Sequence, residues 1–327
     1  MTLVVENPYA PPTEEVPSGR GRRRAPDSRP PTGRRPPARV RAPLPPRPPM
    51  PMWATVLTPA IAMLAVLCAW FLLQVLALGG LEQARAQQVL RADLREQLAA
   101  QTAPTGGAIK PGAPVALLEV PTLGLEQVVV EGTAASDLMA GPGHLRKTVL
   151  PGQEGRSMIY GRAATYGAPF RSVPNLRAGD GITVTTAQGE FVYRVDGVRR
   201  EGDPLPLPPG DGVGQLVLVT AEGTGPLAAL TPHRTVYIDA TLVGEAVGAP
   251  AGRPGSVPEA EKPLRGDPSA LPVLAVGLQG LLVALVGVLW ALRRHPRATV
   301  WLLGSPVLVT MAWLSTDAAV QLLPNLL

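Results

Sequence analysis

The chain has 327 residues, with 30 basic and 25 acidic side chains, a net charge of +5, and 39 prolines. The positive charge does not indicate a nucleic-acid-binding protein, because residues 1–51 alone hold ten arginines against four acidic residues. The single cysteine, Cys68, lies in an apolar run, so an intramolecular disulfide is excluded and no thiol is expected outside that run.

Residues 1–51 are rich in proline, arginine and glycine and nearly lack large apolar side chains. Such a segment buries too little apolar surface to offset the entropy lost on folding, so we expect a disordered tail. The closely spaced prolines of 43–49 suit a polyproline II helix, which leaves open the binding of a cytoplasmic partner. The arginines favour contact with anionic lipid headgroups.

Three apolar runs are each long enough to cross a bilayer, which takes about 20 residues. They predict transmembrane helices over 52–78, 270–292 and 299–323. The positive-inside rule places the basic tail and the basic loop 293–298 on the cytoplasmic side. The region between 79 and 269 is then extracellular, in a multi-pass protein of the cell membrane whose N-terminus is cytoplasmic.

The external region begins with a helical pattern and ends in a linker. Leu90 and Leu94 recur on one face of a segment rich in Ala, Gln and Glu, which predicts a helical stalk over 79–103. A short linker follows over 104–114. A second linker, rich in Pro and Gly, covers 246–269 and leads back to the membrane.

Residues 115–245 have a β pattern. The segment 181–186 alternates in polarity, turns at 187–189 and returns over 190–195, which predicts a hairpin. Further strands are predicted at 115–120, 125–131, 215–220 and 234–243. Many short strands in one compact unit indicate an all-β domain, a small closed β-barrel.

Short motifs run through this β region in a fixed order. They are Val120-Pro121-Thr122-Leu123-Gly124-Leu125, Val129–Thr133, Gly141–His144, Leu150-Pro151-Gly152, Gly161-Arg162 before Thr165–Phe170, Leu216–Thr220 and Arg234–Val236. Together they resemble the sortases, the cysteine transpeptidases of Gram-positive cell envelopes, and are most similar to the actinobacterial type. The resemblance implies a sortase-like barrel on the extracellular side.

The resemblance also implies where catalytic residues would stand, and two of the three are replaced. In sortases the strand matching 216–220 ends in the nucleophilic cysteine. Here Ala221 follows, and a methyl group cannot form an acyl-enzyme thioester. Arg162 takes the place of the catalytic histidine and stays protonated near neutral pH, so it cannot act as a general base. Arg234 matches the arginine that stabilises the oxyanion.

The candidate binding residues are Arg162 and Arg234, which the resemblance places in the cleft, His233, which adjoins Arg234, and Thr220 and Glu222, which flank Ala221. Arg162 and Arg234 together would suit a carboxylate or another anionic group of the cell wall; alternatively Arg162 turns to solvent. On a strand, Thr220 and Glu222 point away from the face of Ala221, so replacing the lost thiol would require a bulge. The sequence shows no metal-ligand, phosphate-loop or cofactor pattern, so no metal and no cofactor are expected.

Other polar and aromatic residues receive structural interpretations. We expect His144 to serve loop packing, and Tyr160, Tyr166 and Phe170 to pack in the core and in turns. Asp317 lies near the outer end of the third transmembrane run, from which its carboxylate can reach the interface.

These features predict a catalytically degenerate, non-enzymatic sortase-like protein anchored in the membrane. It would bind a sorting-signal-like peptide or a cell-wall component, or support an active sortase or another membrane protein. Two alternatives stay open: an active transpeptidase or hydrolase with a rebuilt site, and a structural envelope protein whose cleft has closed. None of these hypotheses involves a nucleic acid or a cofactor.

Overall fold

The computed structural model describes residue 61, residues 65–223 and residues 231–327. The predicted tail 1–51, and nearly all of the first transmembrane run before residue 65, lie outside the described residues.

The β region closes into an eight-stranded barrel, as its alternating pattern predicts. The strands are β1 (Pro114–Val120), β2 (Leu125–Glu131), β3 (Gly143–His144), β4 (Gly155–Tyr160), β5 (Gly181–Thr186), β6 (Gly189–Arg200), β7 (Gly214–Glu222) and β8 (Arg234–Leu242). Around the barrel they run in the order β1-β2-β3-β4-β7-β8-β6-β5, and β5 pairs back to β1. The β2–β3 and β4–β7 pairs are parallel, whereas the other pairs are antiparallel.

Strand β7 is buried on both faces, as its apolar run predicts. Leu216 and Leu218 belong to the barrel core, whereas Val217, Val219 and Ala221 belong to a second buried cluster. Because side chains alternate along a strand, this second cluster covers the outer face of β7. The outer face of β7 is therefore covered by other parts of the chain rather than by solvent.

The helices described are α1 (Ala65–Ala99), α2 (Asp137–Ala140), α3 (Leu271–Ala291) and α4 (Arg297–Gln321). The predicted membrane helix and the predicted stalk are parts of one continuous helix, α1, which carries a π-helical stretch at Gln74–Leu78. Three helices, α1, α3 with the turn before it, and α4, are long and apolar enough to cross a membrane.

The stalk half of α1 packs on the barrel. Leu90 and Leu94 form a buried cluster with Val128 and Val130 of β2. Gln87 adds hydrogen bonds along the same strand: its Nε2 donates to the carbonyl oxygen of Val128 at 3.0 Å, and its Oε1 accepts from the Val128 amide at 2.7 Å. The face of α1 that bears the recurring leucines is therefore occupied by the barrel.

Helices α3 and α4 form a close pair, and α4 also contacts α1. A Cβ on Gly277 would lie 2.8 Å from Ser315 Oγ, so a small residue is required where the two helices meet. The Asp317 carboxylate accepts a hydrogen bond of 2.9 Å from Gln74 Nε2, within the π-helical stretch of α1. This bond links the anchor helix to the α3–α4 pair.

Candidate functional site

Position 221, near the end of β7, holds an alanine, whose methyl group cannot act as a nucleophile. Ala221 is 4% exposed and lies directly opposite Thr235 of β8. Directly opposite residues of an antiparallel pair point to the same face, so Thr235 is the β8 side chain beside Ala221. A methyl group and a secondary hydroxyl therefore stand together at this position.

Arg234 lies on the other face of the sheet, contrary to the expectation that it shares a cleft with Ala221 and Arg162. Its partner in the register is Glu222, one residue beyond Ala221. A shift of one residue along a strand reverses the face to which a side chain points. Arg234 is exposed, and Glu222 forms an ion pair with Arg200 at 2.7 Å. Neither residue is available to the cleft.

Thr220 lies away from the cleft, and His233 lies at the protein surface. Thr220 is fully buried on the inner face of β7, where its hydroxyl donates to the carbonyl oxygen of Gly161 at 3.0 Å. His233 is exposed, and its Nδ1 lies 3.3 Å from the carbonyl oxygen of Thr231. Thr220 and Glu222 thus point away from the face of Ala221, as the strand alternation predicts, and no bulge interrupts the register.

Arg162 neither turns to solvent nor joins Arg234, because it is fully buried. Its Nη2 donates to the carbonyl oxygen of Ala135 at 2.8 Å and its Nη1 donates to Thr165 Oγ1 at 3.0 Å. The guanidinium carbon lies 5.2 Å from the centre of the Tyr166 ring, a cation–π distance. Burial lowers the pKa of Arg162 to about 10, so the side chain remains a cation at neutral pH and holds two loops together.

His144 is buried and structural, in agreement with the sequence interpretation. Its Nδ1 lies 2.8 Å from Glu131 Oε2, and its Nε2 lies 2.8 Å from the carbonyl oxygen of Val149. His144 pairs with Ile159, a residue of the barrel core, so its side chain lies on the face opposite Ala221. His144 thus does not stand beside Ala221 or Thr235.

The cleft is the outer face of β4 and β7, and its apolar surface is covered. Tyr160, Val217, Val219 and Ala221 form one buried cluster with Leu138, Leu145 and Leu326. Leu326 comes from the segment that follows α4 and is fully buried. The sequence gives no hint of this contact, because a short segment after a membrane helix has no pattern of its own.

The predicted linker 246–269 also takes part in covering the cleft, instead of running freely to the membrane. Glu261 is buried and forms an ion pair with Arg146, and its carbonyl oxygen accepts from Thr133 Oγ1 at 2.8 Å. Asp137 lies nearby, accepting from the Ala134 amide at 3.3 Å. Burial, opposed by that hydrogen bond, raises the pKa of Asp137 to about 6.

The described residues hold no group of three or more His, Cys, Asp or Glu side chains placed to bind a metal ion. The candidate site consists instead of apolar side chains and of main-chain groups on the loops around residues 133–135 and 162–165. Such a surface suits a peptide better than a small charged ligand.

Comparison with known proteins identifies the barrel. A family model of the sortase domain matches residues 118–236. The barrel, residues 114–242, thus matches the sortase domain over nearly its whole length. The chain is 34% identical over 79 residues to Sortase D of Bacillus subtilis, covering 24% of this chain and 38% of that protein. It is 32% identical over 96 residues to Sortase SrtE1 of Streptomyces coelicolor, covering 27% of each chain.

The barrel is also similar to solved sortase structures. One is the Sortase D5 transpeptidase of Clostridium perfringens, at 21% identity and a TM-score of 0.40, with 49% of this chain and 99% of that chain covered. The matches span well under two thirds of the two curated sortases. Ala221 on β7, Thr235 on β8 and the buried Arg162, two residues after β4, all lie within the residues that match the sortase domain.

Proposed function

We propose that this chain is a membrane-anchored sortase-domain protein that binds peptide without cleaving it. The proposal rests on Ala221, the last residue but one of β7, which has a methyl group where the resemblance places the nucleophilic thiol. A sortase reaction requires a covalent acyl intermediate, and neither a methyl group nor a buried guanidinium can form one. The only cysteine, Cys68, lies in α1.

Loss of activity does not remove the capacity to bind. The β4–β7 face keeps an apolar floor, and the surrounding loops present main-chain donors and acceptors. Extended peptides are recognised by main-chain hydrogen bonds combined with pockets for alternate side chains. We therefore infer a binding or scaffolding role toward a sorting-signal-like peptide, a cell-wall component or an active sortase, with the barrel on the extracellular side of a Gram-positive membrane.

A second candidate function is an active transpeptidase or hydrolase with a rebuilt site. One observation favours it: the Thr235 hydroxyl lies beside Ala221 on the same face of the sheet. A threonine nucleophile needs a base within hydrogen-bond reach. His144 is engaged with Glu131 on the other face, so the candidate base is His233, which is exposed and precedes Thr235 by two residues.

The proposal is tested with the full chain in lipid nanodiscs and a fluorogenic sorting-signal peptide. We expect saturable binding by fluorescence anisotropy and no release of the fluorophore. Ala221→Phe should abolish binding because it fills the cleft, whereas Leu205→Phe, at an 80% exposed position, should leave binding unchanged. Cleavage that disappears in Thr235→Val would establish the rebuilt site and contradict the proposal.

A further inference from the structure

The segment Pro324–Leu327, which follows α4, lies in the cleft in the manner of a bound peptide. Asn325 and Leu326 are fully buried, and Leu327 is 6% exposed. The segment approaches the barrel from the membrane hairpin and has no strand or helix of its own. Its burial therefore comes from tertiary contacts with the cleft.

Main-chain groups of the cleft loop bind the main chain of this segment. The Ala163 amide donates to the carbonyl oxygen of Leu326 at 3.0 Å. The hydroxyl of Thr165 donates to the main-chain oxygen of Leu327 at 2.5 Å, and Arg162 Nη1 donates in turn to that hydroxyl. The buried cation thus orients the group that holds the segment, which gives Arg162 a positioning role.

The side chains of the segment fill two different pockets. Leu326 joins the apolar cluster that contains Val219 and Ala221. Asn325 Nδ2 donates to the carbonyl oxygen of Thr133 at 2.8 Å and to that of Lys262 at 3.1 Å. Both protons of the carboxamide are used, so this second pocket is selective for a group with two N–H donors.

The same segment is attached to the membrane helices. The last residue of α4, Gln321, accepts a hydrogen bond of 2.7 Å from the Asp267 amide. One helical turn earlier, Asp317 accepts from Gln74 of α1. Val320 packs with Tyr166, the residue whose ring lies against Arg162. The position of α4 against α1 therefore fixes how far the segment reaches into the cleft.

We propose that the Pro324–Leu327 segment is an intramolecular ligand that closes the cleft, and that an external peptide binds only by displacing it. The displacing peptide uses the same contacts, with an apolar side chain over Ala221 and a carboxamide in the Asn325 pocket. Four residues are few compared with the barrel, so the segment opens without unfolding the domain. This inference rests on the proposed peptide-binding function.

The experiment measures the reactivity of a thiol placed beneath the segment. Ala221→Cys is introduced together with Cys68→Ser in the full chain, in lipid nanodiscs, and its reaction with a charged maleimide is followed. Leu326→Asp should accelerate labelling by about tenfold or more, the factor that loss of one buried leucine contact corresponds to. Leu326→Ala is the milder variant, used if the aspartate variant folds poorly, and it should give a smaller acceleration. Leu205→Asp, on the exposed loop, should give none.

A synthetic peptide of residues 321–327 is then added to the Leu326→Asp protein. We expect the peptide to slow labelling, and the same peptide with aspartate in place of asparagine to fail. Equally fast labelling with and without Leu326→Asp would overturn closure by the segment. If Leu326→Asp accelerates labelling and the peptide does not slow it again, the segment closes the cleft but the cleft does not bind the peptide. The proposed peptide-binding function would then be wrong.

Discussion

Ala221 and Thr235 lie directly opposite each other at the ends of β7 and β8, on the sheet face that the chain itself covers. The pairing determines which chemistry is possible there. A side chain at 221 or 235 reaches the cleft, whereas Glu222 and Arg234 reach the opposite face. Ala221 lies on the cleft face, whereas Arg162 is buried and holds two loops together.

Replacement of Arg162 should affect stability through volume and hydrogen bonding. Arg162→Ala leaves a cavity and deprives the Ala135 carbonyl of its donor, so we expect a loss of about 3 kcal/mol in the free energy of unfolding. Arg162→Met keeps most of the volume and removes an unpaired buried charge, so its loss should be smaller. Unfolding followed by circular dichroism measures both. Arg177→Ala, at an exposed position, is the control. Equal losses in the two Arg162 variants would contradict the packing role.

Asp137 should make the protein less stable at neutral pH than at mildly acidic pH. Its pKa in the folded protein is about 6, above the ordinary value of about 3.9. The folded state therefore takes up a proton before the unfolded state does, and stability rises as pH falls from about 7 toward 4. Asp137→Asn should add about 1–2 kcal/mol at pH 7 and flatten this part of the profile.

The measurement for Asp137 is the free energy of unfolding at several pH values between 4 and 8. Glu131, Glu261 and Arg146 surround Asp137 and are identical in both proteins, so the difference between the two profiles isolates Asp137. Asp211→Asn, on an exposed loop, should reproduce the original profile. Parallel profiles for the original chain and Asp137→Asn would show that the carboxyl titrates normally.

Gln87 should fix the stalk to the barrel. In addition to its bonds with Val128, it donates to the carbonyl oxygen of Ala140 at 2.9 Å. Gln87→Leu removes three hydrogen bonds and leaves buried backbone groups unpaired, for a loss of about 2–3 kcal/mol. Hydrogen exchange of the Val128 amide should accelerate strongly. Gln88→Leu changes the neighbouring exposed glutamine and should leave exchange as it was.

The Gln74–Asp317 hydrogen bond should couple the anchor helix to α4. A double-mutant cycle with Gln74→Ala and Asp317→Ala measures the interaction, with reversible unfolding of the full chain in mixed detergent as the readout. We expect a coupling energy of about 0.5–1.5 kcal/mol, the range typical of hydrogen bonds between membrane helices. Additive effects of the two substitutions would mean that the helices are held by packing alone, for example by the Trp70–Trp313 contact.

The barrel could be predicted from sequence because most of its strands carry an explicit pattern. Alternation and turn residues indicated the β5–β6 hairpin, and the apolar run of β7 indicated burial on both faces. Strand β4 was not predicted, since it begins Gly-Arg-Ser and lacks alternation. The very short β3 has no local signal at all, and is formed by pairing with its neighbours.

The candidate site was predicted less well, and for two physical reasons. Placement of Arg234 beside Ala221 depended on strand register, where an error of one residue exchanges the two faces. The contacts of Asn325 and Leu326 join segments far apart in the chain, and no local periodicity reports such a contact. The burial of Arg162 has the same kind of origin, because Ala135 contacts its guanidinium only once the two loops are assembled.

The central claim is that the cleft cannot form a covalent bond with a substrate. Its most direct test is the intact mass of the full chain after incubation with a sorting-signal peptide, both as it is and with Leu326→Asp, which opens the cleft. We predict that neither mass changes, while Ala221→Cys combined with Cys68→Ser in the opened protein accepts a thiol reagent and so demonstrates access. A mass increase equal to the acyl part of the peptide, on a protein that retains Ala221, would contradict the account.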